Sequence, residues 1–282
     1  MPDGLQQHMM PRAQRLPRLG LSYLEAGSGT AVLLLHGWAA FKEIWWGTLR
    51  ALAPRYRGVA LEWPGHGTSP ALEQVRGLDD LVELAARACA ELGLAQVVAV
   101  GHSLGGRVAA LLALAHPDLV TRLVLVDAAL DPAYLAPFCR RMLELRAVER
   151  SVRLSRRLSA ALRRVVASVP HEHGGGLIRP LLRRIYFNGL ADPRALHAYV
   201  TALYAESLDQ RLSAIRQPTL VVTGARDPLV HPAQARRAAQ TIPQARLCVI
   251  PGAFHTPMDE QPAAFQRALL DFLERGVDGA CP

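Results

Sequence analysis

Lysine is almost missing from this 282-residue chain: Lys42 stands alone, and every other one of the 32 basic residues is arginine. Cysteine is scarce as well. Cys89, Cys139, Cys248 and Cys281 lie far apart, with no C-x-x-C pair and no metal-ligand spacing, which excludes a disulfide scaffold and a zinc finger. No stretch approaches the ~18 uninterrupted apolar residues of a membrane span. Pro2, Pro11, Pro17, Arg12, Arg15 and Arg18 interrupt the first twenty residues, where a signal peptide would need an apolar core. The chain is therefore expected in the cytoplasm, without a transmembrane segment. Gly (22) and Pro (20) are too few for a low-complexity chain. A net charge of +8 and a pI near 9.9 would permit nucleic-acid binding. No helix-turn-helix, RNP-like aromatic segment or basic tail accompanies them, so no nucleic-acid partner is expected.

What is present is globular composition, half hydrophobic and a fifth charged. Short apolar runs alternate with longer helical patterns, the signature of a mostly parallel sheet covered by helices. The patterning predicts strands at 20–26, 31–36, 57–63, 96–101, 123–128, 219–224 and 246–251. Helical patterns fall at 45–53, 78–92, 104–116, 232–241 and 263–275, and Gly276 stands where a C-cap glycine belongs. From 130 to 218 no convincing strand occurs, although αβ connections usually run only ~2–6 residues. Leu145, Val148, Val152, Ala161, Leu162 and Val165 recur there at near-helical spacing. Pro170 and the glycines 174–176 end that stretch, and Asp192-Pro193 supplies an N-cap and first position for another helix. The expected organisation is an N-terminal arm (1–19), an α/β core (20–129 and 219–282) and a helical cap inserted at 130–218.

Gly101-His102-Ser103-Leu104-Gly105 matches G-x-S-x-G. The apolar run 97–100 before it reads as a buried strand and 107–112 after it as a helix, which is the setting a nucleophile elbow requires. A serine in that turn is strained, and the flanking glycines remove side chains that would clash. A serine hydroxyl also needs a base to take its proton, and the base needs a partner to hold its tautomer. Asp227 follows the strand at 219–224, and His255 follows the strand at 246–251. Strand C-terminal ends of an open α/β sheet face one crevice, so the three groups can converge. Asp127, at the end of the preceding strand, is an alternative acid.

The order Ser, Asp, His is that of the α/β-hydrolases. Over residues 21–275 the chain resembles an α/β-hydrolase-fold serine hydrolase of the capped, esterase-like kind. His36-Gly37-Trp38 resembles the family's oxyanion segment. Glu62-Trp63-Pro64-Gly65-His66-Gly67-Thr68-Ser69 resembles its D-x-P-G-x-G-x-S loop, with Glu62 where aspartate is more common. His255-Thr256-Pro257-Met258, followed by Glu260-Gln261-Pro262, resembles its closing segment. The resemblance implies an α/β-hydrolase fold, a mostly parallel sheet covered by helices with an inserted helical cap. It implies Ser103 as nucleophile, His255 as base, Asp227 as the acid that orients it, and the backbone N–H groups of Trp38 and Leu104 as oxyanion donors. Gly-x-x-Asp-Pro after a buried strand is the commoner family arrangement, which favours Asp227 over Asp127. The implied reaction is cleavage of a small carboxylic ester through an acyl-enzyme, with no cofactor and no metal.

Gly37, His102, Trp63 and Met258 are further candidates for the substrate pocket. Trp45 and Trp46 suit ordinary packing at least as well as pocket lining. His36 and His102 are expected to shape loops rather than act as bases. His171 and His173 form an H-x-H without a companion ligand, and the three glycines after it read as a loop. Between Asp131 and Arg211 there are fourteen arginines and seven acidic residues. That excess reads either as a solvated face or as a docking surface for an acidic carrier or anionic substrate. The His-Gly-Trp segment with a basic cap is similar to esterases that demethylate acyl groups on acyl carrier protein. Carbon–carbon hydrolases, cofactor-free perhydrolases and slow-hydrolysing ligand-binding homologues share the same motifs. Haloalkane dehalogenases and epoxide hydrolases are disfavoured, because those relatives carry aspartate at the position of Ser103.

Overall fold

The computed structural model describes residues 9–167, 178–279 and 281. Eight strands form one sheet: β1 (Arg12–Arg15), β2 (Ser22–Ala26), β3 (Thr30–Leu35), β4 (Tyr56–Leu61), β5 (Val97–His102), β6 (Val120–Val126), β7 (Thr219–Gly224) and β8 (Ala245–Ile250). Their order is β1-β2-β4-β3-β5-β6-β7-β8. The first two pairings are antiparallel and the rest parallel. Parallel strands are buried on both faces and so read as continuous apolar runs. Leu33, Leu35, Ala99 and Leu125 face one layer, with α2 (Leu78–Glu91), α3 (Leu104–Ala115) and α7 (Ala233–Thr241). Val32, Leu34, Val100 and Val126 face the other, with α1 (Trp46–Leu52) and α9 (Pro262–Arg275). Each such side chain, fully buried, contributes roughly 1.5–3 kcal/mol.

β1 departs from the sequence reading, which assigned residues 1–19 to an arm. Arg12–Arg15 instead pairs antiparallel with β2 at the sheet edge. All four of its residues are exposed, so no apolar periodicity marks it. Leu16 and Leu19 anchor the segment by burying themselves in the core.

Between β6 and β7 come α4 (Leu145–Ala167), α5 (Ile178–Leu190) and α6 (Pro193–Ala205). His171, His173 and the glycines 174–176 lie outside the described residues. Asp192 caps α6, its Oδ1 accepting from Arg194 N at 2.8 Å and Ala195 N at 2.9 Å. The stems of this insertion are clamped by Arg107 of α3, which is wholly buried. Its guanidinium donates to the carbonyls of Leu130 and Leu203 at 3.3 Å and of Glu206 at 2.8 Å. Trp38 Nε1 adds a bond to Leu196 O at 2.7 Å.

Cys248 of β8 and Cys281 are joined by a disulfide, their Cα atoms 5.4 Å apart. It is one clip on the C-terminal segment, not a scaffold, and wide spacing in sequence hid the pairing. Closing a separation of 33 residues is expected to stabilise the chain by about 2–4 kcal/mol. Cys281→Ser should lower the midpoint of denaturant unfolding accordingly, and a reducing agent should reproduce that loss in the parent chain but not in the variant.

Candidate active site

The site is assembled at the C-terminal ends of the strands. Ser103 sits between β5 and α3 with φ +55° and ψ −117°. A non-glycine residue held there costs about 1–3 kcal/mol and persists only where its surroundings fix it. They do so here: Ser103 N donates to Val126 O at 2.9 Å, and Ser103 O accepts from Gly106 and Ala129 N, each at 3.0 Å. The two motif glycines are needed for close approach. A Cβ on Gly101 would collide with the backbone of Gly105 and Gly106, and one on Gly105 with the carbonyls of Leu35 and His36.

His255, after β8, gives its Nδ1 to Asp227 Oδ2 at 2.7 Å. A carboxylate partner makes Nδ1 the protonated nitrogen and leaves Nε2 as the basic one. Asp227 Oδ1 accepts from Leu229 N at 2.7 Å and Val230 N at 3.1 Å. Burial alone would raise the Asp227 carboxyl, but the His255 hydrogen bond and charge, with these two amides, hold it below its ordinary value. His102 lies beneath, its Nε2 donating to His255 O at 2.7 Å. Glu260 of the short helix α8 (Pro257–Glu260) accepts from Phe254 N at 2.6 Å and Thr256 Oγ1 at 2.8 Å, fixing the loop on both sides of His255.

The segment facing Ser103 is equally constrained. A Cβ on Gly37 would stand 2.9 Å from His102 Nδ1 and 3.0 Å from Ser103 Cβ, tighter than ordinary contact allows. His36 Nδ1 donates to Gly37 O at 2.8 Å, its Nε2 accepts from Trp63 N at 3.0 Å, and Trp63 Nε1 donates to His36 O at 2.8 Å. Burial holds the His36 pKa well below the usual histidine value, so the ring is neutral and not a base. The lone lysine has its place in the same scaffold. Lys42 Nζ reaches Glu62 Oε2 at 2.9 Å, and that oxygen also accepts from Thr68 N at 2.8 Å and Thr68 Oγ1 at 2.9 Å. Glutamate at 62 thus pins its own loop to the helical turn that begins at Lys42 through a buried ion pair.

Ser103, His255 and Trp38 open onto one cavity of about 300 Å³ beneath the helices that run between β6 and β7. Most of its wall comes from the insertion and is apolar, Phe138, Met142 and Leu203 among it. No described residue with a charged side chain lines it. Of the four pocket candidates, none does either. Gly37 backs onto Ser103, His102 supports His255, and Trp63 and Met258 are buried in the two core layers. Their motifs mark the loops around the crevice, but the side chains turn inward. Trp45 is packed in the core and Trp46 against it. The lining residues of the cap went unread because helical spacing shows that a face is apolar, not whether it covers a core or a cavity. Asp127 lies beside Asp227 but does not hydrogen-bond to His255; its Oδ1 accepts from Thr223 Oγ1 and Gly224 N.

Comparison with known proteins agrees with this architecture. Residues 30–262 match the model of the alpha/beta hydrolase fold family. A pimeloyl-[acyl-carrier protein] methyl ester esterase of Nitrosospira multiformis is 31% identical over 259 residues, 89% of this chain and 97% of that protein. A 2-(acetamidomethylene)succinate hydrolase of Mesorhizobium japonicum is 26% identical, covering 96% of this chain and 98% of that one. The crystal structure of a hydrolase from Pseudomonas aeruginosa PA01 superimposes with a TM-score of 0.74 at 24% identity, over 93% of this chain and 98% of that one. No described helix is long and apolar enough to cross a membrane. This chain belongs to the α/β-hydrolase fold family.

Proposed function

We propose that the protein is a serine hydrolase of carboxylic esters with an uncharged, largely apolar acyl group. The observation that carries this reading is the cavity, with no charged side chain among its described lining residues, onto which Ser103 and His255 both open, with Asp227 bonded to His255 from behind. Ser103 Oγ attacks the ester carbonyl while His255 Nε2 takes its proton. The oxyanion is held by the N–H groups of Trp38 and Leu104, a contribution of about 3–4 kcal/mol per donor in comparable sites. The C–O bond to the alcohol then breaks, and His255 returns the proton to the leaving alkoxide. Water, deprotonated by His255, attacks the acyl-enzyme carbonyl; the C–O bond to Ser103 breaks, His255 returns the proton to Ser103 Oγ, and the acid is released. Turnover of p-nitrophenyl esters of increasing acyl length tests this: kcat/KM should rise with chain length until the cavity is filled. A chain that binds such esters without turning them over would instead be a receptor.

Within that class, we propose a methyl ester of an acyl group on an acidic carrier protein as the substrate. The Nitrosospira relative bears that activity in its name, and Arg146, Arg150, Arg153 and Arg157 are exposed on α4. Arg156 is not equivalent to them, since it donates to Gly189 O at 2.8 Å and Ala191 O at 3.1 Å and so holds α4 against α5. Attraction between exposed charges is screened over ~8 Å at physiological ionic strength. The rate on the carrier-borne ester should therefore fall about tenfold or more from low to high salt. Replacing those four arginines by glutamine should flatten the dependence and leave a small neutral ester untouched. An equal salt response toward both esters in the parent chain would remove the carrier from the reading.

A further inference from the structure

Asp127 is a buried carboxyl beside the triad to which the mechanism above gives no task. It closes β6 with φ +42°, a left-handed conformation that costs a non-glycine residue roughly 1–2 kcal/mol. Its N–H donates to Val222 O at 2.9 Å. Oδ1 accepts twice, from Thr223 Oγ1 at 2.8 Å and Gly224 N at 3.0 Å, whereas the buried Oδ2 receives no donor. A carboxyl oxygen of Asp127, one of Asp227 and a ring nitrogen of His255 all lie within 4.8 Å of one another.

Two carboxyl groups this close and this buried do not both ionise. Asp227, with three donors including an imidazole N–H, keeps the charge. A proton on Asp127 Oδ2 turns an orphaned acceptor into a donor, and the Asp227 carboxylate facing it is the acceptor. We propose that Asp127 is a neutral carboxylic acid at working pH and donates a hydrogen bond to Asp227, which makes it a positioning residue for the acid of the triad. This rests on the triad reading of the site. Burial, and then the charge of Asp227, drive the Asp127 carboxyl well above the usual carboxylate range, against the hydrogen bonds from Thr223 and Gly224. By drawing charge from Asp227, the Asp127 proton moderates how strongly that carboxylate stabilises the His255 imidazolium.

The other titratable groups facing this cluster are His102 beneath His255, Glu260 on α8, and Cys139 of the cap, whose thiol is raised by burial and by Asp227. They are constant in the comparison that follows. Asp127→Asn keeps an acceptor for Thr223 and Gly224, offers Asp227 an N–H donor, and removes no charge if Asp127 is neutral. The acidic limb of its kcat/KM profile should therefore stay where the parent's lies. Asp127→Ala leaves Asp227 without that donor, so its limb should move to higher pH. If Asp127 were ionised, Asp127→Asn would remove a negative charge beside His255 and move the limb to lower pH by about a unit or more; that result overturns the proposal. Infrared spectra in the Ser103→Ala background give a readout that needs neither turnover nor a stable Asp127→Ala variant. The carbonyl stretch of a protonated carboxyl should be present at neutral pH and lost on adding Asp127→Asn. No such loss overturns the proposal even if ester hydrolysis stands, while its presence without any ester turnover would leave the protonation intact and place the failure in the function.

Discussion

Ser103→Ala should lower ester turnover by about 10⁴–10⁶-fold, since members of a triad act as a unit and losing the nucleophile forfeits the whole. The fold should be unaffected, because alanine faces the same backbone conformation and the bonds that fix the elbow are made by backbone atoms of Ser103, Val126, Gly106 and Ala129. Steady-state kinetics and a thermal unfolding curve on the same preparation check both halves. The residual rate would report what the proposed oxyanion donors, the N–H groups of Trp38 and Leu104, achieve with water alone. Turnover near the parent level would mean that another residue attacks the ester.

Asp227→Asn should cut kcat by about 10⁴-fold. The carboxamide can turn its NH₂ toward Nδ1, which moves the ring proton to Nε2, where it cannot accept from serine. Leu229 and Val230, whose N–H groups now bond to Asp227 Oδ1, would lose a charged acceptor. Asp127→Asn should cost far less, because Asp127 makes no bond to His255 and the amide preserves its bonds to Thr223 and Gly224. The reverse order, in correctly folded variants, would transfer the role of the acid to Asp127.

The placements legible in the sequence are those fixed by local geometry. A G-x-S-x-G between an apolar run and a helix points to the elbow, because only glycine tolerates the backbone approaches at Gly101 and Gly105. The meeting of Asp227 and His255 was legible because each follows a buried strand, and strand ends share a crevice. Long-range choices were not legible. β1 carries four exposed residues whose partner is chosen by β2. Trp63 looked like a pocket aromatic, yet its indole N–H is spent on His36 O and its ring is buried. Asp127 was legible only as an alternative acid; its direct placement beside Asp227 follows from the parallel pairing of β6 with β7, which residues 127–218 separate in the chain.

Covalent labelling at a single residue tests the assignment of the nucleophile most directly. A fluorophosphonate reacts with an activated serine and leaves one phosphonyl group on its oxygen. Intact-mass spectra should show one adduct per chain, and peptide mapping should locate it on Ser103. Asp227→Asn should label much more slowly, and Ser103→Ala not at all. An adduct on any other residue, or undiminished labelling of Ser103→Ala, would contradict a triad built on Ser103, His255 and Asp227.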